Sequence, residues 1–74
     1  MDADVIEAAW VSLRDITRLQ QTLKMMRKTH QTASAMQQWV MGQGYEVLGI
    51  WLTPSGNAGT LQIRRETRYG VVSF

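Results

Sequence analysis

The sequence has no cysteine, one histidine (His30), one proline (Pro54) and one phenylalanine (Phe74) among its 74 residues. Without cysteine there is neither a disulfide framework nor a thiolate metal site, and one histidine leaves zinc without a ligand set. Disulfides and metals are the usual staples of very small folds, so stability has to come from packing or from association between chains. No apolar stretch approaches the roughly 18 residues that a membrane-crossing helix requires. The acidic start, Met1-Asp2-Ala3-Asp4, is the reverse of the basic start of a secretory signal. These absences predict a cytoplasmic protein with no membrane partner.

Catalytic patterns are equally sparse. Asp4 and Glu7 share a helical face, but a metal site needs more ligands converging on it. His30 has no implied partner for its imidazole and falls in a basic inter-helix turn. Gly42-Gln43-Gly44 follows a helix, whereas the dinucleotide fingerprint follows a strand and opens a helix, so it reads as a helix stop. The segment 53–59 lacks the lysine of a phosphate loop and reads as a hairpin connection. The expectation is a non-enzyme with no cofactor and no catalytic or metal residues.

What is present describes one folded domain over residues 1–74, helical over 3–42 and β over 45–74. Hydrophobic residues make up 45% and charged residues 19%, a balance that excludes disorder. Residues 3–29 contain no glycine or proline, and Val5, Ala9, Leu13, Ile16, Leu19, Leu23 and Met26 recur every three or four positions. That is one apolar helical stripe, with acids at its start and Lys24, Arg27 and Lys28 at its end, as the helix dipole favours. Ser12-Leu13-Arg14-Asp15 reads as a capping box and would break the run; the unbroken stripe favours a single long helix. Thr32 opens a second helix whose apolar face is Ala33, Met36, Trp39 and Val40, ended by Gly42 and Gly44.

From Tyr45 the period changes to two. Leu48, Ile50 and Leu52 alternate, as do Leu61 and Ile63, and Arg68 to Phe74 supplies a third run. The predicted fold is α+β: a long N-terminal helix and a shorter second helix packed on one face of a three-stranded antiparallel meander, in the order ααβββ. Leu48, Ile50, Leu52, Leu61 and Ile63 are expected to face the helices.

Several residues remain beyond one small core. On the polar side of the first helix, Trp10, Arg14, Arg18, Gln21, Met25 and Lys28 line up, with Val11 at the margin. On the first strand, Val47 and Trp51 are expected to point away from the helices. Aromatic, Met and Arg side chains are enriched at protein interfaces, which nominates Trp10, Arg14, Arg18, Met25, Lys28, Val47 and Trp51 as partner-binding residues. The basic residues nominate a second class. Beyond Glu7, eight Lys and Arg face three acids, and such a body attracts polyanions. Arg64 and Arg65, as neighbours on a strand, cannot share one face.

The reading is a small regulator, inhibitor or adaptor that binds a protein partner stoichiometrically and forms a homodimer. Its size suits the products of phage and other mobile-element genes. The alternative is a DNA-binding regulator. With a break near Ser12–Asp15 the order becomes helix, helix, helix, hairpin, which is similar to a winged helix-turn-helix. That resemblance implies helix 33–41 as the recognition helix, with Gln37 and Gln38 reaching bases, and 53–59 as the wing. Lys24, Arg27, Lys28, Arg64, Arg65 and Arg68 would then supply cationic contacts.

Overall fold

A computed structural model describes residues 10–74. Val5, Ala9 and the acids Asp2, Asp4 and Glu7 lie outside the described residues. Helix α1 spans Leu13–Lys28 and α2 spans Ala33–Gly42; strands β1 (Glu46–Leu52), β2 (Gly59–Arg65) and β3 (Arg68–Ser73) follow. The strands form one antiparallel sheet in the order β1-β2-β3. The α+β arrangement with helices first agrees with the pattern in the sequence.

The helix does not run unbroken through Ser12. Ser12 is extended (φ −60°, ψ 146°) and its hydroxyl accepts a hydrogen bond from the Asp15 amide at 3.3 Å. A side-chain acceptor at this position satisfies one of the orphan amides of the first turn, so the Ser12 N-cap starts α1 where the apolar stripe alone suggested continuation. Trp10 and Val11 are then extended. Trp10 forms a parallel bridge with Tyr69, and the Val11 amide donates to the Tyr69 carbonyl at 2.9 Å. The chain thus meets the β3 edge of its own sheet at Tyr69, while β1 forms the opposite edge.

The end of α1 is a Schellman turn made without glycine. His30 takes the left-handed conformation (φ 60°), its amide donates to the Arg27 carbonyl and the Gln31 amide to the Met26 carbonyl. Thr32 caps α2, accepting from the Ala35 amide at 3.0 Å. Of the two glycines expected to stop α2, Gly44 is the left-handed one (φ 92°) and Gly42 is the last helical residue.

Leu19, Leu23, Met36, Val40, Leu61, Ile63, Val72 and Phe74 fill the space between the helices and the sheet, joined by Val11 and Tyr45. Two glycines let elements approach closely. A Cβ on Gly59 would lie 2.6 Å from the Phe74 ring and 2.7 Å from Leu52, and one on Gly70 would lie 2.8 Å from the Ile16 side chain. Gly59 and Phe74 also exchange both backbone hydrogen bonds, at 2.7 and 2.9 Å.

The first strand departs from simple alternation. Val47 pairs with Ile63 and Gly49 with Gln62, so Leu48 is an extra residue, a β-bulge. One extra residue inverts the facing of everything before it. Val47, expected to point outward, therefore packs against the core, and Leu48, expected to point inward, is exposed. Ile50 and Leu52, beyond the bulge, keep their predicted inward facing.

Candidate contact surface

The helices cover one face of the sheet. The other face can be built row by row from the strand register. Trp51, Thr60 and Ser73 form one row; Gly49, Gln62 and Val71 the next, with bulged Leu48 beside them; Glu46, Arg64 and Tyr69 the third, extended by Trp10 at the edge. An antiparallel sheet facing water ordinarily carries polar residues there. Here Trp10, Leu48, Trp51, Tyr69 and Val71 are all exposed, Trp51 by 61% and Trp10 by 56%. Gly49 leaves a hollow of about 210 Å³ in this face, bordered by Ile50, Trp51, Thr60 and Gln62.

This face is close to electroneutral. Its cation, Arg64, forms an ion pair with Glu46 across β1 and β2. The side chain of Tyr69 and then Glu46 raise the Arg64 pKa above its already high usual value, so the guanidinium stays charged throughout the accessible pH range. Arg65 points to the opposite face, as strand alternation requires. It lies over the Tyr45 ring, 5.1 Å from its centroid, with Nη1 donating to the Tyr45 hydroxyl at 3.4 Å.

The partner-binding residues nominated from the sequence fall on two surfaces. Arg14, Arg18, Met25 and Lys28 lie exposed along the solvent side of α1, with Lys24 beside them. Trp10, expected on that helical side, bridges to the β3 edge instead because the Ser12 cap starts the helix after residue 12. It joins Trp51. Val47 leaves the set for the core. Leu48, Tyr69 and Val71 are the surface residues that sequence reasoning missed. Tyr69 and Val71 were legible as alternate positions of β3; Leu48 was concealed by the bulge.

The residues nominated for nucleic acid are scattered. The Arg27 Nη1 donates to the Gly56 carbonyl at 3.3 Å, tying the end of α1 to the β1–β2 loop, and its Nε is buried without a partner. Arg27 therefore has a structural engagement within the fold. Gln38 is exposed on α2 and Gln37 is partly buried. Arg65 and Arg68 line a hollow of about 260 Å³ with Val11, Ser12, Asp15 and Glu66, where two acids balance two arginines. Among the described residues, no three of His, Cys, Asp and Glu come together in a way that could hold a metal ion, and no helix is long and apolar enough to cross a membrane.

No protein-family model, curated protein sequence or solved structure matches the chain.

Proposed function

We propose that this chain is a non-catalytic protein-binding module, a small cytoplasmic regulator, inhibitor or adaptor acting by stoichiometric contact, with the outer face of its sheet as the contact surface. One observation carries the reading: five large apolar or aromatic side chains, from β1, β3 and the segment before α1, share a face that no other described element covers. Scattered apolar residues are normal on protein surfaces, but a contiguous patch marks an interaction site. Aromatic side chains supply large contact area with few rotatable bonds. The pairing of Arg64 with Glu46 leaves no unpaired charge in the three rows, and an unpaired buried charge is the most costly case to desolvate.

The test is affinity capture from the native host with mass spectrometry, comparing the wild-type chain with Trp51→Glu and with Arg18→Glu. Loss of the captured protein with Trp51→Glu but not with Arg18→Glu supports the sheet face. The opposite pattern moves the contact to α1.

A second reading, binding of nucleic acid, rests on a different observation. Arg14, Arg18, Lys24 and Lys28 stand exposed along α1, and among the described residues none of them forms an ion pair. If these cations met phosphates, binding to duplex DNA would fall with salt by a slope of about −0.9 per phosphate neutralised. Absence of binding at low salt would remove this reading.

A further inference from the structure

The outer face of the sheet has the properties of a surface that fits itself. We infer that its occupant is a second copy of this chain, stacked sheet against sheet in a two-fold dimer with the helices on the outside. The inference rests on the contact-surface reading above and names the partner.

Three observations point to a second copy. The first is charge. The face carries Arg64 and Glu46 as an ion pair and no other charged side chain in its three rows. Two such faces meet without like-charge repulsion, whereas two α1 faces, each with Arg14, Arg18, Lys24 and Lys28, would repel. A polyanion would find no free cation on the sheet face.

The second is shape. The face presents both projections and a dip. Leu48, Trp51 and Val71 are exposed on it, while Gly49, lacking a side chain, leaves a shallow, open depression beside Trp51. An apolar side chain of a facing copy can rest against it. A two-fold interface requires that the same patch carry complementary features, and a projection and a shallow depression a few residues apart on one strand are compatible with that requirement. Two sheets packed this way sit about 10 Å apart with their inner side chains interdigitated.

The third is area. Taking roughly 150–250 Å² for a buried aromatic side chain, the exposed fractions of Trp10, Trp51 and Tyr69 amount to about 300 Å² of recoverable surface. With Leu48, Val71 and the polar residues between them, each copy offers about 600 Å², which places the pair at about 1,200 Å², the lower bound of a stable specific interface. Area at that bound permits a specific dimer, and side-chain fit rather than area sets its affinity.

Sedimentation equilibrium of the purified full-length chain, from about 1 μM to 1 mM, tests the inference together with three variants. A Cβ on Gly49 meets nothing within 4 Å, so Gly49→Leu places a side chain over the depression without a clash inside the fold. Far-UV circular dichroism checks that each variant is folded. The expected result is a reversible dimer that Gly49→Leu weakens at least 10-fold and Trp51→Glu at least 100-fold, because each substitution occurs twice in a two-fold interface. Met25→Glu on α1 is expected to leave it unchanged. A wild-type monomer at every concentration overturns the second copy as occupant, and so does a dimer insensitive to both sheet substitutions. A monomer whose Trp51 is shielded from acrylamide also overturns it, since the face would then be covered by its own chain. Host-protein capture that still depends on Trp51 in a monomeric chain would leave the contact-surface reading standing while the dimer fails, which separates the two claims.

Discussion

Gly59→Ala tests the way this small core closes. In an ordinary strand, replacing glycine by alanine gains roughly 0.5–1 kcal/mol, because glycine loses more backbone freedom on folding. At Gly59 the added methyl would sit 2.6 Å from two atoms of the Phe74 ring and 2.7 Å from Leu52. The ring is 95% buried, and its backbone is held to Gly59 by two reciprocal hydrogen bonds, so it cannot move away as a unit. Overpacking of a close-packed interior costs about 1–3 kcal/mol, which outweighs the entropic gain and leaves a net loss of about 1–2 kcal/mol. Urea unfolding followed by tryptophan fluorescence, with m near 1 kcal/mol/M for a chain of this size, should show the midpoint falling by about 1–2 M. Phe74→Leu, which shortens the obstructing side chain, costs about 1 kcal/mol alone, and the double variant should lose less than the two single losses combined, by about 1 kcal/mol. Strict additivity, or a stabilised Gly59→Ala, would refute the argument that the Phe74 ring occupies the space over Gly59.

Three further substitutions probe features on which the fold depends. Ser12→Ala removes the acceptor for the Asp15 amide and should cost about 1 kcal/mol in the same assay, whereas no effect would argue against Ser12 as the start of α1. His30→Gly relieves a left-handed non-glycine residue at φ 60° and should stabilise by about 0.5–1 kcal/mol; a loss would mean that the His30 side chain contributes a contact of its own. Val47→Asp buries a charge against the core and should cost more than about 3 kcal/mol, while Leu48→Asp should change stability by less than about 0.5 kcal/mol. The reverse order would show that the bulge is misplaced.

The elements of this protein were readable because local rules agree with the tertiary structure over most of the chain. Ile16, Leu19, Leu23 and Met26 face the core as their helical spacing dictates, and Leu61 and Ile63 do so as their alternation dictates; Leu13, in the same stripe but at the first position of α1, is instead 80% exposed. Reading failed where two local signals competed. At Ser12 a capping box lay inside an unbroken apolar stripe. The stripe argued for continuation, but the Ser12 side-chain acceptor fixes a helix start, and the Val11 amide finds its partner in the Tyr69 carbonyl of β3 rather than within a longer helix. At Leu48 the sequence Val47-Leu48-Gly49-Ile50 contains two apolar residues in succession, so either parity was consistent with a half-buried strand. Glycine in a strand interior often marks a bulge, and Gly49 was the signal available. Both misreadings affected the proposed contact surface. They placed Trp10 on a helix and Val47 on the outer face, and they hid Leu48, so a continuous sheet surface was read as fragments of two.

The most direct test of the central claim is site-specific photo-crosslinking in the native host, with benzoylphenylalanine in place of Trp51 and, separately, in place of Met25. The outer sheet face as the contact surface predicts a discrete covalent adduct to a polypeptide, whether a second copy or another protein, from position 51 and none from position 25. An adduct from position 25 with only uncrosslinked chain from position 51 would contradict it.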